Sequence, residues 1–179
     1  ELIKTFLIGI FFGTFGTTIG GLIGVNLKSN SNKFLGFILS FASGLMMSII
    51  CFDLIPEAME IANLAVILLG ILLGILTMII CDTLVKEKFS DKKGMNSLLR
   101  TGIIISIGLA LHNIPEGLAI GTGFQASINL GLSLAIVIAI HDVPEGVSMA
   151  VPMKNGGMNP IRVVFYVILS GTTTGVGAF

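Results

Sequence analysis

The sequence predicts an all-α, polytopic membrane protein, and its composition and the length of its apolar runs carry that prediction. Of its 179 residues, 54% are hydrophobic and only 11% are charged, and the mean hydropathy is +1.01. A soluble domain carries about 25% charged residues, so this much apolar surface suits a bilayer better than one small aqueous core. The apolar runs are about 20 residues long, which matches a hydrocarbon thickness of about 30 Å. A closed β-barrel would need short alternating segments, which the sequence lacks.

We predict six membrane-spanning helices in a single domain, residues 1–179. Short polar segments separate the spans, except for a nearly absent turn around Ala62 and Asn63. The predicted spans are 3–26, 34–59, 63–85, 100–124, 130–153 and 160–179. The chain starts on Glu1 and stops on Phe179 inside an apolar run, so we expect it to be a piece of a longer protein.

The basic residues predict the orientation in the membrane. Nine of them lie in or beside the first, third and fifth turns, and only Lys4 lies on the other side. By the positive-inside rule, the N-terminus is outside and the loops 27–33, 86–99 and 154–160 are cytoplasmic. We expect a multi-pass protein of the plasma membrane. The nine residues are Lys28, Lys33, Lys86, Lys88, Lys92, Lys93, Arg100, Lys154 and Arg162.

Two kinds of pattern bear on packing and on partners. The first span carries glycines at residues 9, 13, 16, 20, 21 and 24, and the third carries Gly70 and Gly74 in a GxxxG spacing. Small residues at such spacings let membrane helices approach closely, so we expect both spans to pack through them. The net charge is zero and there is no basic patch, so nucleic acid is not an expected partner.

Two copies of one motif carry the candidate chemistry. Residues 112–117 read His-Asn-Ile-Pro-Glu-Gly, residues 141–146 read His-Asp-Val-Pro-Glu-Gly, and the chain's two histidines open them. A His and a Glu four residues apart share one helix face, and the Pro between them releases a backbone carbonyl. Two such helices facing each other would form a pocket of two His and two Glu. Such a pocket suits a divalent transition metal.

Ionisable groups inside the hydrocarbon mark functional sites by default, and the two motifs are predicted to meet near the membrane midplane. Asn113 and Asp142 follow the histidines and point about 100° away from them. They are candidates for an adjacent second metal position or for hydrogen bonds to the ligands. A third, partial copy, Asp53-Leu54-Ile55-Pro56-Glu57-Ala58, suggests another proline-broken helix facing the same cavity. Alternatively, Glu57 marks the external end of its span.

At these residues the chain resembles the ZIP (Zrt-, Irt-like) family of divalent-metal transporters. Residues 112–117 match the family's fourth-helix motif, residues 141–146 its fifth-helix motif, and residues 53–58 are similar to its second-helix segment. The resemblance implies a ZIP-like helical bundle with proline-kinked metal-binding helices. Family members have eight spans, so it also implies that two further spans would follow this chain.

The resemblance also implies roles for individual residues. A first metal site would be built from His112, Glu116, His141 and Glu145. A second would draw on Asn113, Asp142 and a shared Glu116, with Met46 or Met47 as an additional ligand and Asp53 and Glu57 at the entrance. The family's sixth helix usually carries Glu-Pro where this chain has Thr174-Gly175, which removes a carboxylate from the second position.

The predicted function is transport of a divalent cation toward the cytoplasm, with zinc first and cadmium, iron and manganese as alternatives. The metal is cargo, and no cofactor is expected. The rivals are an intramembrane metalloenzyme, in which a metal with an open position activates water, and a metal-binding scaffold without flux. The His-Glu-x-x-His pattern is absent and no spare nucleophile is evident, so we expect no enzyme. The partners are the cations and the lipid bilayer, and a homodimer is left open.

Overall fold

The protein is built from helices in a computed structural model that describes residues 2–27, 32–90 and 96–179. Within these ranges there are seven α-helices and one short π-helical segment. They are α1 (Leu2–Asn26), α2 (Asn32–Ile49), the π-helical segment (Ile50–Leu54), α3 (Ile55–Ile61), α4 (Leu64–Ser90), α5 (Ser97–Ala126), α6 (Ile128–Asn155) and α7 (Pro160–Ala178). The predicted all-α fold is confirmed.

Among the described residues, four helices are long and apolar enough to cross a membrane: α1, α5, α6 and α7. In α4, the apolar helical stretch is shorter and covers Leu64–Thr77. The protein is therefore a multi-pass helical membrane protein, as predicted. The count of six spans stays a prediction, because the second predicted span is divided among α2, the π-helical segment and α3.

Pro56 accounts for the division of that second predicted span. A proline has no backbone N–H, and its ring collides with the carbonyl four residues earlier in a regular helix. The turn before it, Ile50–Leu54, is π-helical, and α3 begins at Ile55. Such turns are a common response to a disturbed hydrogen-bond ladder. In contrast, α5 and α6 are helical without interruption through Pro115 and Pro144.

Four helices form the centre of the bundle. α1 and α5 lie on opposite sides, and each packs against both α6 and α7. α5 and α6 are antiparallel neighbours, since Ser127 alone separates them. The start of α5, the end of α6 and the start of α7 therefore lie together at one end of the bundle, which we call the Lys154 end. The opposite end is the Ser127 end.

Glycines allow α1 to enter this centre. All six glycines of α1 are buried, as the predicted packing of the first span requires. A Cβ atom on Gly9 would come 2.7 Å from Cβ of Ala178, and one on Gly24 would come 2.6 Å from Cβ of Ala150. These helices approach too closely for larger side chains. The prediction of close packing at Gly70 and Gly74 was wrong for the described part of the chain, since no described neighbour lies within 4 Å of either added Cβ.

Two apolar clusters fill the bundle on either side of its middle. The Met149 cluster lies toward the Lys154 end, and its buried residues are Met149, Ala150, Met153, Val163 and Val167. The Ile120 cluster lies toward the Ser127 end, and its buried residues are Ile120, Leu134, Ala135 and Ile138. The polar residues of the two His-containing motifs lie between these clusters.

Candidate metal site

The two predicted motifs meet in the middle of the bundle. Glu116 of α5 directs Oε1 toward Nε2 of His141 of α6, at 2.9 Å. The same Oε1 lies 3.1 Å from Nε2 of His112, one helical turn earlier in α5. One carboxylate oxygen thus contacts both histidines of the chain. The expectation that the motifs face each other near mid-helix agrees with these distances.

Glycine brings the motif segments against their neighbours. A Cβ atom on Gly117 would collide with the backbone carbonyl oxygen of Thr174 in α7, and one on Gly146 would collide with that of Thr17 in α1. The backbones of α5 and α7, and those of α6 and α1, are therefore in direct contact next to the motifs. Because each Gly directly follows the motif Glu, this packing fixes the position of the carboxylates.

These contacts repeat with approximate two-fold symmetry. The pair α5 and α7 corresponds to the pair α6 and α1, with Gly117 in the place of Gly146 and Thr174 in the place of Thr17. The correspondence continues four residues further along α7 and α1. The added Cβ of Gly117 would lie 2.8 Å from the backbone nitrogen of Ala178, and that of Gly146 would lie 2.9 Å from the backbone nitrogen of Gly21. The two motifs therefore occupy equivalent environments on either side of one axis.

The site is buried although it is rich in ionisable groups. Glu116 is 8% exposed, Glu145 5%, His141 1% and Asp142 0%. His112 is the more accessible histidine, with a side chain that is 32% exposed. Burial of unpaired carboxylates costs several kcal/mol each, so the folded protein has to compensate their charge.

Several buried oxygen atoms have no hydrogen-bond partner among the described residues. They include Oε2 of Glu116, Oε2 of Glu145 and both carboxylate oxygens of Asp142. Nε2 of His141 lies 3.6 Å from Oδ1 of Asp142, which is too far for a good hydrogen bond. Oxygen atoms oriented inward without donors are what a bound cation would coordinate, so the donor set fits a metal.

Two overlapping groups of side chains are close enough to hold a cation. In one, the ligand atoms of His112, Glu116 and Glu145 all lie within 4.8 Å of one another. In the other, those of Glu116, His141 and Asp142 do. Glu116 belongs to both groups, whereas His141 and Glu145, which were predicted to share one site, fall into different groups. Asp142 is closer to the histidines than its offset of 100° indicated, and α1 packs against it: a Cβ on Gly16 would lie 2.7 Å from that of Asp142.

Asn113 occupies on α5 the position that Asp142 has on α6. Its side-chain Nδ2 donates to the carbonyl oxygen of Ser170 in α7, at 3.2 Å. Its Oδ1 is buried with no partner in the described ranges. The amide is therefore anchored through its nitrogen, which leaves the oxygen available to a cation.

Residues of α7 contribute more than the sequence indicated. Thr174, noted above only as the place of a missing carboxylate, is fully buried, and its Oγ1 has no described hydrogen-bond partner. The hydroxyl of Thr173 lies 2.7 Å from the carbonyl oxygen of Ala110 in α5 and 2.6 Å from that of Ser170 in its own helix, so its single proton serves two acceptors. Sequence reasoning missed this tie between α7 and the motif helix. Hydroxyl residues in a membrane span, next to small residues, were the signal available.

The structure says little about the other predicted site residues, which are Met46, Met47, Asp53 and Glu57. Met47 of α2 is 60% exposed. The side chains of Met46, Asp53 and Glu57 lie outside the part of the structure that is described, so their predicted roles as ligands or entrance residues stay predictions.

The fold and the site together define a helical membrane protein with a buried cluster of imidazole and carboxylate donors between two of its spans. Residues 86–179, which include both motifs, match the family described as ZIP Zinc transporter. The chain belongs to the ZIP family. This is a family of transporters and not of enzymes, in agreement with the sequence interpretation.

Curated relatives bear the same description. The zinc transporter ZupT of Salmonella heidelberg (strain SL476) is 32% identical over an alignment of 127 residues that covers 66% of this chain and 48% of that protein. The zinc transporters ZupT of Salmonella paratyphi A and Salmonella newport (strain SL254) match with the same identity and coverage. The chain thus spans about half the length of the curated relatives it matches.

Proposed function

We propose that the protein carries divalent transition-metal cations across the membrane, with zinc as the first candidate, through a site formed by His112, Glu116, His141 and Glu145. The observation that carries this proposal is the Glu116 carboxylate, one oxygen of which contacts both histidines at 2.9 and 3.1 Å. Membership of the ZIP family and the description of the curated relatives support it.

The donor chemistry favours a borderline cation that can be released again. Imidazole and carboxylate together bind Zn²⁺ well, and Cd²⁺, Fe²⁺ and Mn²⁺ remain alternatives because intrinsic affinity does not set biological selectivity. A cage of four thiolates would hold zinc as a structural ion. Here no described Cys lies at the site, and the two donor groups share one ligand, so a cation can move from one group to the other without losing Glu116.

Asp142 and Asn113 extend the site on the side of α1 and α7. We assign to them the second, auxiliary position, with Glu116 as the shared ligand. The unpaired oxygens of Asp142 and Asn113 support this assignment. Met46 or Met47 is kept as a candidate for an additional ligand and Asp53 and Glu57 as candidates for the entrance, by their position in the sequence and by resemblance to the family.

We propose transport toward the cytoplasm, and the charge asymmetry of the sequence supports an orientation of the bundle for it. Lys154 lies at the end of α6, beside the start of α5 and of α7, near which Arg100 and Arg162 lie. With these basic residues in the cytoplasm, the N-terminus is outside and the Lys154 end is the inner end. The cation then enters from the Ser127 end and leaves at the Lys154 end. We place the protein in the plasma membrane. A homodimer is left open as an alternative to a monomer.

Flux measured in liposomes tests the proposal. Purified protein is reconstituted, zinc or cadmium is added outside, and entry is followed with a metal-sensitive dye enclosed in the vesicles. We expect saturable flux for the protein without substitutions, called the parent below. We expect this flux to be lost in His112→Ala and in His141→Ala. Glu60→Gln removes an exposed carboxylate outside the site and serves as the matched control, with flux at the level of the parent.

Two outcomes would count against the proposal. Absence of flux in a parent that is folded and binds zinc would favour a metal-binding scaffold. Flux that persists in both His variants would place the pathway elsewhere in the molecule.

A further inference from the structure

Two polar contacts join α5 and α7 beside the first motif, and their donors lie on opposite helices. Nδ2 of Asn113 in α5 donates to the carbonyl oxygen of Ser170 in α7, at 3.2 Å. The hydroxyl of Thr173 in α7 lies 2.7 Å from the carbonyl oxygen of Ala110 in α5. Each helix thus supplies one donor and one backbone acceptor within a single turn. We call this pair of contacts the α5–α7 clasp.

The hydroxyl of Thr173 has a second acceptor, the carbonyl oxygen of Ser170, at 2.6 Å. A carbonyl oxygen has two lone pairs. Those of Ser170 already receive the Asn113 amide and the helical N–H four residues later in α7. The carbonyl of Ala110 receives only the helical N–H four residues later in α5, so it keeps one lone pair. Counting donors therefore gives the larger share of the Thr173 proton to Ala110, which completes the clasp.

The acceptor in α7 decides the orientation of the Asn113 amide. A backbone carbonyl can only accept a hydrogen bond, so the nitrogen of the amide has to face Ser170 and the oxygen has to point elsewhere. Asn113 is 0% exposed, and its Oδ1 has no hydrogen-bond partner among the described residues. A buried amide oxygen without a donor is a neutral ligand already oriented for a cation.

The second motif lacks such a clasp with its own neighbour, α1. Asp142 takes the place of the amide there, and neither of its carboxylate oxygens has a described hydrogen-bond partner. Where α7 carries Thr173, α1 carries Gly16, which has no side chain to donate. The nearby carbonyl oxygen of Gly13 in α1 already accepts from the hydroxyl of Thr17, at 2.7 Å. An anchored amide therefore belongs to the α5–α7 contact and not to the α6–α1 contact.

We propose that Thr173 is a positioning residue for the second cation position. Its hydroxyl holds α7 against α5, so that the carbonyl of Ser170 orients the amide of Asn113 with Oδ1 free for the cation. This inference rests on the proposed function, in which Asn113 is a ligand. Thr173 itself contacts no cation, and its whole effect on metal binding passes through the Asn113 amide.

Zinc titration of the purified protein tests this role. Thr173→Val keeps the branched shape of the side chain and removes the hydroxyl, so we expect zinc affinity to fall about tenfold, as is typical for the loss of an outer-shell partner. Thr173→Ser keeps the hydroxyl and should bind zinc nearly as well as the parent. Thr172→Val is the matched control, because the Thr172 hydroxyl donates within its own helix, to the carbonyl oxygen of Leu169 at 2.7 Å. It should leave zinc affinity unchanged.

A second background shows whether Thr173 acts through Asn113. In Asn113→Ala the amide is absent, so adding Thr173→Val should weaken zinc binding no further. A general structural effect of Thr173→Val would persist in that background, because independent effects add. The proposal is overturned if Thr173→Val binds zinc as tightly as the parent, or if it weakens binding equally with and without the amide.

Thermal unfolding without zinc tests the clasp separately from the proposed function. Thr173→Val and Asn113→Ala each remove one half of it, so the fall in Tm of the double variant should be smaller than the sum of the single falls. Additive falls would overturn the clasp. If a folded parent binds no zinc, the proposed function fails and the positioning role fails with it, whereas non-additive falls in Tm would still establish the clasp.

Discussion

Glu116 and His141 are joined by a 2.9 Å contact between Oε1 and Nε2, although they lie on different helices and 25 residues apart in the chain. The contact joins the two copies of the motif into one site. It also leaves the second oxygen of Glu116 without a described partner, so the carboxylate still has coordinating capacity for a cation. Three predictions follow from the geometry around this pair.

Replacement of Glu116 should weaken metal binding more than replacement of any exposed carboxylate does. Glu116 belongs to both donor groups, so Glu116→Gln removes a charged ligand from each. We expect zinc affinity to fall by more than about 100-fold, beyond the range of 10–100-fold that is typical for the loss of an outer-shell partner. Equilibrium titration of the purified protein measures this. Glu60→Gln is the matched control, and an affinity for Glu116→Gln close to that of the control would remove Glu116 from the site.

Asp142→Asn should change stability and metal binding in opposite directions. Both carboxylate oxygens of Asp142 are buried without a described partner, so removal of the charge relieves a cost in the metal-free protein. We expect the metal-free variant to be more stable by about 1 kcal/mol or more. Its stabilisation by added zinc should be smaller than that of the parent, because stabilisation by a ligand follows its affinity for the folded state.

Thermal unfolding in detergent, with and without zinc, measures both effects of Asp142→Asn. Glu87→Gln, which neutralises an exposed carboxylate, should change neither. A variant that is less stable without metal would show that Asp142 has a structural partner and is not an unpaired ligand.

The glycines that follow the motifs should not tolerate a methyl group. In Gly117→Ala and Gly146→Ala the new Cβ would collide with the carbonyl oxygens of Thr174 and Thr17, and backbone atoms on both sides leave little room for adjustment. We expect a loss of about 1–3 kcal/mol in the free energy of unfolding, as for other overpacked interiors.

Gly70→Ala is the matched control for these two variants, since no described atom lies within 4 Å of its added Cβ. It should be neutral or stabilising by up to about 1 kcal/mol, because Ala favours the helix over Gly. Denaturant or thermal unfolding compares the three. If Gly117→Ala proved as stable as Gly70→Ala, α5 and α7 would not be in the close contact described here.

Much of the candidate site was readable from the sequence because its spacing is local. A His and a Glu four residues apart must share a helix face, and this holds for residues 112 and 116 and for residues 141 and 145 wherever the helices lie. The strong apolar bias likewise predicted helices in a membrane. Pro56 predicted a broken helix, and the turn before it is π-helical.

Other features depend on which helices become neighbours, and no local pattern contains that information. GxxxG spacing predicted close packing equally for Gly13 in α1 and for Gly70 in α4, yet only the first is buried. Asp142 groups with His141 and with Glu116 of a different helix, which the sequence of α6 alone does not indicate. The tie from Thr173 to Ala110 likewise exists only because α7 lies against α5.

By itself, the sequence determined the class of protein, the helical state of its apolar runs and the placing of each His on the same helix face as the Glu four residues later, because composition and spacing of four residues fix these within a single helix. The tertiary structure alone decided that Glu116 contacts both histidines, that Asp142 lies with Glu116 and His141, and that Oδ1 of Asn113 is buried without a described partner. The reason is physical: these relations join atoms of different helices, whose approach is set by where glycine backbones can touch.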